Sequence, residues 1–389
     1  MSTDNLADGQ AIGAIRAAID VDSLNAFLGK NVREVRTPVT VKQFKYGQSN
    51  PTYFVTDASG TRFVLRKKPA GTLISKTAHQ VEREYQMLRA LQTHNDTASP
   101  AERVPIPRPY VLCEDNSVLG TPFYVMEFLE GRIFSDQSMP DLKPEERRAC
   151  WLSAVRALGL LGSLNPDKIG LDNFASKKAY FPRQIRSLSQ VSQAQSKAVD
   201  VDTNQPTGEI PHIHELVEWY TTNAPDETKT GRRIVHGDFK IDNLIFHPTE
   251  PTVIGILDWE LCTLGSPLPD LANLTLSFFV DEKMVSNTST SLPAWRGKPS
   301  SQVPLPYEDI EREYCRTMHL EYPIKEMTFA GSWMIFRLAV ITQGIAARHA
   351  RRQASSERAA EYAALFPPLG RMAKLLIDQG SSSNVKSKL

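Results

Sequence analysis

Hydrophobic and polar positions fall into two regimes along the chain. Up to about residue 127 the apolar residues come mostly in short runs: Val39 to Phe44, Pro51 to Thr56, Arg62 to Arg66, Tyr110 to Glu114 and Thr121 to Glu127. Such runs, parted by turn residues at Tyr46-Gly47 and Ser59-Gly60, predict strands. A helix-period stripe interrupts them. Val81, Tyr85, Leu88 and Leu91 predict a helix over roughly 77–91, followed by a proline-rich loop from Thr93 to Pro109. Later spacing is mostly helical: Pro144 to Leu164, Ile213 to Tyr220, Leu274 to Val280, Tyr307 to Met318, Phe329 to Arg352, and Ser356 to Ile377 with a break near Pro367-Pro368. Residues 1–36 read as a helical preface with amphipathic segments Ala11 to Ile19 and Val21 to Leu28. Asp281 to Pro306 reads as a long polar loop.

One stretch breaks the helical half. Ile234-Val-His-Gly-Asp-Phe-Lys-Ile-Asp-Asn-Leu-Ile-Phe246 alternates an apolar run, a polar cluster and a second apolar run. A further apolar run, Val253 to Leu257, ends on Asp258. If the later two runs pair as strands, Asp238, Asn243 and Asp258 converge at one end of a small sheet. Two carboxylates and an amide in a cleft suit a hard cation such as magnesium, which keeps room for phosphate oxygens. That chemistry points to phosphoryl transfer.

These residues carry a resemblance. His236-Gly-Asp-x-x-x-x-Asn243, with Asp258 fifteen residues later in Asp-Trp-Glu, resembles the catalytic core of the aminoglycoside phosphotransferase-like kinases, a family akin to choline kinases and protein kinases. Phe246-His-Pro-Thr-Glu-Pro251 and Leu257 to Ala272 resemble, more narrowly, the kinase-like domain fused ahead of some acyl-CoA dehydrogenases. The similarity runs from about Phe44 to about Ile377.

The resemblance implies an α+β, protein-kinase-like two-lobed fold: a preface at 1–36, a small antiparallel-sheet, nucleotide-binding N-lobe at 37–128, a larger, mostly helical C-lobe for catalysis and acceptor binding at 129–378, and a flexible tail at 379–389. It implies ATP and Mg²⁺ as cofactors. Asp238 would be the catalytic base and Lys240 would face the γ-phosphate; Asn243 and Asp258 would hold the metal. Arg66 would meet the α- and β-phosphates, with Lys68 on the same strand face as a competing cation. Glu84 would brace Arg66, Glu82 being the alternative. Ser49 and Asn50 would cap the distal phosphates, and the backbone of Glu127, Phe128 and Leu129 would read the adenine edge. Asp270 resembles a buried family aspartate.

The bulk numbers narrow the function without fixing it. A chain of 389 residues with 41% hydrophobic content can bury a sizeable core, and a formal net charge of +1 gives no field pointing to nucleic acid or an anionic membrane. Four cysteines without Cys-x-x-Cys spacing read as free thiols in a reducing compartment. The apolar segment Phe329 to Ala347 holds Arg337, so a core helix is expected and not a membrane span. Ser387-Lys388-Leu389 matches a receptor-read peroxisomal address, so the expectation is a peroxisomal protein engaging the import receptor, and a cytoplasmic one otherwise. Together with the dehydrogenase-type resemblance, it suggests a hydroxyacyl-CoA acceptor whose phosphorylation feeds β-oxidation, with any acyl-CoA dehydrogenase partner a separate chain. The alternatives are a kinase of another small alcohol (an amino alcohol or aminoglycoside-like compound) and a nucleotide-binding pseudokinase.

Overall fold

The computed structural model describes residues 12–13, 19–44, 50–70, 80–285, 292–354 and 358–386. The chain separates into two compact units. One comprises residues up to 174 together with 236–263; the other comprises 175–235 and the chain from 264 onward.

The first unit is built on a six-stranded antiparallel sheet in the order β1-β2-β3-β4-β6-β5, formed by β1 (Ile12–Gly13), β2 (Thr40–Phe44), β3 (Thr52–Thr56), β4 (Arg62–Lys67), β5 (Pro109–Cys113) and β6 (Phe123–Glu127). The turn between β3 and β4 is tied by Asp57, which accepts from the backbone of Ser59 at 2.8 Å and Thr61 at 2.9 Å. Alternation gives the sheet two apolar faces. Tyr53, Val55, Phe63, Leu65, Phe123 and Val125 bury one face against Leu24 and Leu28 of α1 (Val21–Asn31). Each fully buried leucine there contributes about 1.5–3 kcal/mol. Val64, Arg66, Tyr124 and Met126 occupy the other face, with Arg66 opposite both Thr52 and Tyr124 in the register.

Three expectations change in this unit. Ile12–Gly13 lies in the segment read as helix, yet its backbone pairs with β2; an open sheet edge offers unpaired backbone groups that recruit a neighbouring strand. Helix α2 (Val81–Thr97) runs into the stretch read as loop after residue 93. Asn95 explains the extension: its side chain both donates to the Val104 carbonyl (2.8 Å) and accepts from the Val104 amide (2.9 Å), so the returning chain pins the last turn. A short helix, Asn116–Leu119, also separates β5 from β6.

Strands β7 (Leu244–Phe246) and β8 (Val253–Ile256) pair antiparallel, Leu244 facing Ile256. Arg132 and Phe246 exchange two backbone hydrogen bonds of 2.8 Å. That approach is possible because residue 131 is glycine: a Cβ there would lie 2.2 Å from the Phe246 carbonyl oxygen. Helix α3 (Pro144–Ser163) supports the hairpin from behind, Ser153 Oγ accepting from the Val253 amide at 2.9 Å.

The second unit is mostly helical. Its axis is α8 (Met327–Ala350), which packs with α4 (Tyr180–Ser196), α6 (Leu268–Leu274) and α9 (Phe366–Lys386). By length and composition α8 could cross a membrane, but 72% of its apolar window is buried inside the protein. Phe181, Tyr220 from α5 (Ile213–Thr222), Phe329 and Trp333 interlock mostly edge-to-face around it. Tyr220 Oη and Ser332 Oγ lie 2.7 Å apart, and Ser332 donates to the Ala373 carbonyl. The expected break before Pro367-Pro368 separates a short helix, Ala359–Ala363, from α9. The run Gly380 to Asn384, read as flexible tail, is instead a backbone continuation of α9. The polar stretch read as a long loop is anchored: Trp295 is buried and its amide donates to the Ser277 carbonyl at 2.7 Å. Helix α7 (Tyr307–Met318) follows it.

Candidate active site

The site begins with the hairpin β7–β8. The Leu257 amide donates to the Asn243 carbonyl at 2.9 Å, which carries Asp258 alongside Asn243. Asn243 Nδ2 donates to Asp238, reaching its carbonyl oxygen at 2.9 Å and Oδ2 at 3.2 Å. The three residues singled out in the sequence therefore stand together at one end of the small sheet. Asp258 adopts a left-handed backbone conformation, φ 63° and ψ 65°. Such strain in a residue with a side chain is held only by surrounding structure.

His236 supplies much of that structure. It is fully buried, and its ring sits 4.7 Å from the Trp259 ring. The Asp238 amide donates to Nδ1 (3.2 Å), so the proton is on Nε2, which donates to the Leu257 carbonyl at 2.9 Å. One imidazole thus bridges the segments carrying Asp238 and Asp258. Gly237 makes the turn from His236 to Asp238, with φ +88° and a hypothetical Cβ 2.5 Å from the Leu261 carbonyl oxygen.

Arg66 enters from the sheet. Its Nη2 lies 2.7 Å from Asp258 Oδ1 and 3.6 Å from Glu260 Oε2, and its Nε lies 2.9 Å from Glu84 Oε2. Burial would lower its pKa, but the carboxylates of Glu84 and Asp258 outweigh burial and raise it, so the cation is permanent. Glu84 is itself buried and accepts from Tyr124 Oη at 3.0 Å and Asn50 Nδ2 at 2.8 Å. Burial pushes its carboxyl up to about 7, against the opposing pull of Arg66. The competing cation lies elsewhere, Lys68 Nζ standing 3.5 Å from Glu82.

Arg66, Tyr124, Asn243, Asp258 and Trp259 border a cleft of about 450 Å³ wholly within the first unit. Val64 and Met126 line it from the large sheet, Ile245 and Ile256 from the hairpin, and Phe128 and Leu129 from the segment after β6. Apolar walls with Arg66, Asn243 and Asp258 among the lining residues make a slot for a flat ring beside a polar, charged mouth.

The other expected residues distribute unevenly. Lys240 Nζ stands 3.5 Å from Asp238 Oδ2 and 3.2 Å from Asp242 Oδ2; burial opposes its charge, yet the two carboxylates hold its pKa above the ordinary value. Glu127 lines the cleft, but its amide is committed to the Arg108 carbonyl at 2.8 Å. Asn50 corrects the expectation of a phosphate cap. Its side chain is buried on Glu84 and is not among the cleft's lining residues, because a buried carboxylate needs donors more than the open mouth does. Ser49 lies outside the described residues, as do Ser387, Lys388 and Leu389. Asp270 is buried in α6 of the second unit. The sequence reading missed Tyr124, which strand register sets directly opposite Arg66, and Trp259, which lines the cleft and packs on His236.

A family model described as the phosphotransferase enzyme family matches residues 40–298. The chain belongs to that family. The crystal structure of a "putative aminoglycoside phosphotransferase" from Ralstonia eutropha JMP134 is 31% identical to this phosphotransferase, covers 93% of it and 99% of the other chain, and superposes with a TM-score of 0.78. Choline kinase from Cryptosporidium parvum Iowa II shares the fold at 14% identity and a TM-score of 0.59, over 93% of this chain and 97% of its own. "Probable acyl-CoA dehydrogenase IBR3" of Arabidopsis thaliana is 38% identical over 362 residues, which is 90% of this chain and 42% of that protein. The chain therefore spans about two fifths of that relative's length. The fold is kinase-like, an antiparallel sheet followed by a mostly helical remainder, and the protein is a phosphotransferase of the small-molecule kinase type.

Proposed function

We propose that the protein is an ATP- and magnesium-dependent kinase that phosphorylates the hydroxyl of a hydroxyacyl-CoA. The observation that carries the kinase reading is the gathering of Asp238, Asn243, Asp258 and Arg66 beside an apolar slot. The donor set fits the metal. The Asp258 carboxylate and the Asn243 amide are hard oxygen donors, and Asn243, whose nitrogen is turned to Asp238, would offer its side-chain oxygen as the ligand atom. Bound there, magnesium would neutralise charge on the phosphates.

The chain's own residues do the rest. Asp238, with a third of its side chain exposed, orients the acceptor hydroxyl and takes its proton as the oxygen forms its bond to phosphorus, ADP being the leaving group. Arg66 offers phosphate oxygens a cation whose position Glu84 fixes from behind. Lys240 adds charge on the Asp238 side.

The acceptor class rests on different support. The plant relative bears the name of an acyl-CoA dehydrogenase and is matched over 90% of this chain. The proposed address at Ser387, Lys388 and Leu389 would send the protein through the import receptor to peroxisomes, where a separate acyl-CoA dehydrogenase could act on the product. Deleting Leu389 from a fluorescent fusion should then leave it cytosolic.

The deciding experiment incubates the protein with ATP and magnesium, with and without a 4-hydroxyacyl-CoA, and follows ADP together with the acceptor's mass. The expected result is acceptor-dependent ADP and an acyl-CoA heavier by one phosphoryl group. Turnover with amino alcohols but not acyl-CoAs would replace the acceptor, and nucleotide binding without any turnover would make the protein a pseudokinase.

A further inference from the structure

Helix α2 carries Glu84, the carboxylate behind Arg66, in its first turn, where the amides of Arg83 and Glu84 both reach the Gln80 carbonyl. Glu82 and Glu84 suit that place, because the helix macrodipole favours negative charge at an N-terminus. Arg83 between them opposes the dipole. Its guanidinium turns to another partner: Nη1 donates to the Phe174 carbonyl at 2.7 Å, and Cζ stands 4.0 Å from the centre of the Phe174 ring. That separation is well inside the reach of cation–π attraction, about 6 Å.

Phe174 is a firm anchor. It is buried, and its amide donates to the Leu171 carbonyl at 3.1 Å. Leu171 is fully buried in turn and gives its amide to the Pro166 carbonyl at 3.0 Å. Anchor and helix both lie within the first unit. The far end of α2 is pinned separately by Asn95 on Val104, about 18 Å along the axis from Arg83 at 1.5 Å per residue. Two fixed points hold a rod; with the second alone, the first turn is free to swing. The other tie at the near end, Lys68 Nζ to Glu82 at 3.5 Å, is long for a hydrogen bond.

We propose that Arg83 is a positioning residue for phosphate binding: latching the first turn of α2 onto Phe174, it holds Glu84 against Arg66 and so keeps Arg66 at the polar mouth of the cleft. This rests on the reading of that cleft as the nucleotide site. It adds a residue that is not among the cleft's lining side chains.

The test is a double-mutant cycle on the full chain, with ATP affinity measured by calorimetry for wild type, Arg83→Met, Glu84→Gln and the double variant. Arg83→Met alone should weaken ATP binding by about three- to ten-fold, the loss of one cation–π contact and one hydrogen bond to a charged donor. In the Glu84→Gln background the same change should matter by less than about two-fold, since no carboxylate is left to hold against Arg66. Arg83→Lys should recover part of the loss, because an ammonium keeps the cation over the ring. Adenosine, which lacks phosphates, should bind wild type and Arg83→Met equally. Should Arg83→Met fail to fold, Phe174→Leu takes its place in the cycle with the same expectation, removing the ring and keeping the carbonyl. Equal ATP affinity in wild type and Arg83→Met, an equal loss in both backgrounds, or an equal loss for adenosine and ATP overturns the proposal. The two readings fail separately: ATP bound by wild type without this coupling sinks the latch alone, whereas a wild type that binds no ATP sinks the nucleotide site and the latch with it.

Discussion

Arg66 Nη2 lies 2.7 Å from Asp258 Oδ1, joining residues 192 positions apart in the chain. The same guanidinium rests on Glu84, so one cation is shared between a buried carboxylate behind it and a partly exposed one in front. On the proposed reading, phosphate oxygens at the cleft would compete with Asp258 for Arg66, and a metal at Asp258 would compete with Arg66. The two ligands would then assist each other, each releasing the partner that the other needs.

Asp258→Asn tests this exchange. The variant should lose turnover by about 10² or more, because the proposed ligand to the metal is gone. Without magnesium, however, it should bind ATP as tightly as wild type or more tightly, since Arg66 is released. Calorimetry in the presence of a chelator measures this directly. Weaker metal-free binding than wild type would mean that Asp258 does not hold Arg66 back.

Asp238→Asn should lower kcat by about 10²–10⁴, the range expected of a positioned general base. Nucleotide affinity should be largely kept, because Asp238 is not among the cleft's lining residues. Asparagine preserves the size of the side chain, so the unfolding midpoint should move little. Unchanged kcat removes Asp238 from its assigned role.

Glu84 makes stability depend on pH in a defined direction. Its folded-state pKa of about 7 lies above the ordinary glutamate value of 4.5, so the folded protein holds this proton more tightly than the unfolded chain does. The stabilisation that results is complete below about pH 4.5 and is lost as pH rises through about 7. Urea unfolding of wild type and Glu84→Gln across pH 5 to 8 should show the wild type losing stability relative to the variant as pH increases. A constant difference between the two would place the Glu84 pKa outside this window.

How far the sequence foretold this site follows from how local each contact is. Asn243 and Asp258 were legible because short apolar strands bring them together at one end of a hairpin, and Asp238 because it lies only five residues before Asn243. Arg66 and Lys68 could not be separated by alternation, which puts both on one strand face; only the tertiary positions of Glu84 and Asp258 against Glu82 distinguish them. Asn50 was misread because its partner, Glu84, is 34 residues away and composition does not reveal that a carboxylate will be buried. Trp295 was hidden in a polar run whose anchoring depends on the Ser277 carbonyl. Most of the strands, by contrast, ended within a residue or two of where their patterns indicated, since period-two burial is set by the strands themselves.

Gly237 is a position at which a single methyl group should harm the site. Its φ of +88° is a conformation that side-chain-bearing residues rarely adopt, and the added Cβ would meet the Leu261 carbonyl oxygen at 2.5 Å. That carbonyl is backbone, so it cannot rotate aside as a flexible side chain would. Relief requires moving either the His236–Asp238 turn or the segment after Asp258, and His236 ties those two together. Gly237→Ala is therefore expected to cost about 1–3 kcal/mol through the strained φ alone, with the steric contact adding to it. In whatever fraction remains folded, kcat should fall with the displaced Asp238, whereas the apolar slot for the base is lined by other residues. Thermal unfolding and single-turnover kinetics on the same preparation separate the two effects. Wild-type stability together with wild-type kcat in Gly237→Ala would show that the turn is not what aligns Asp238.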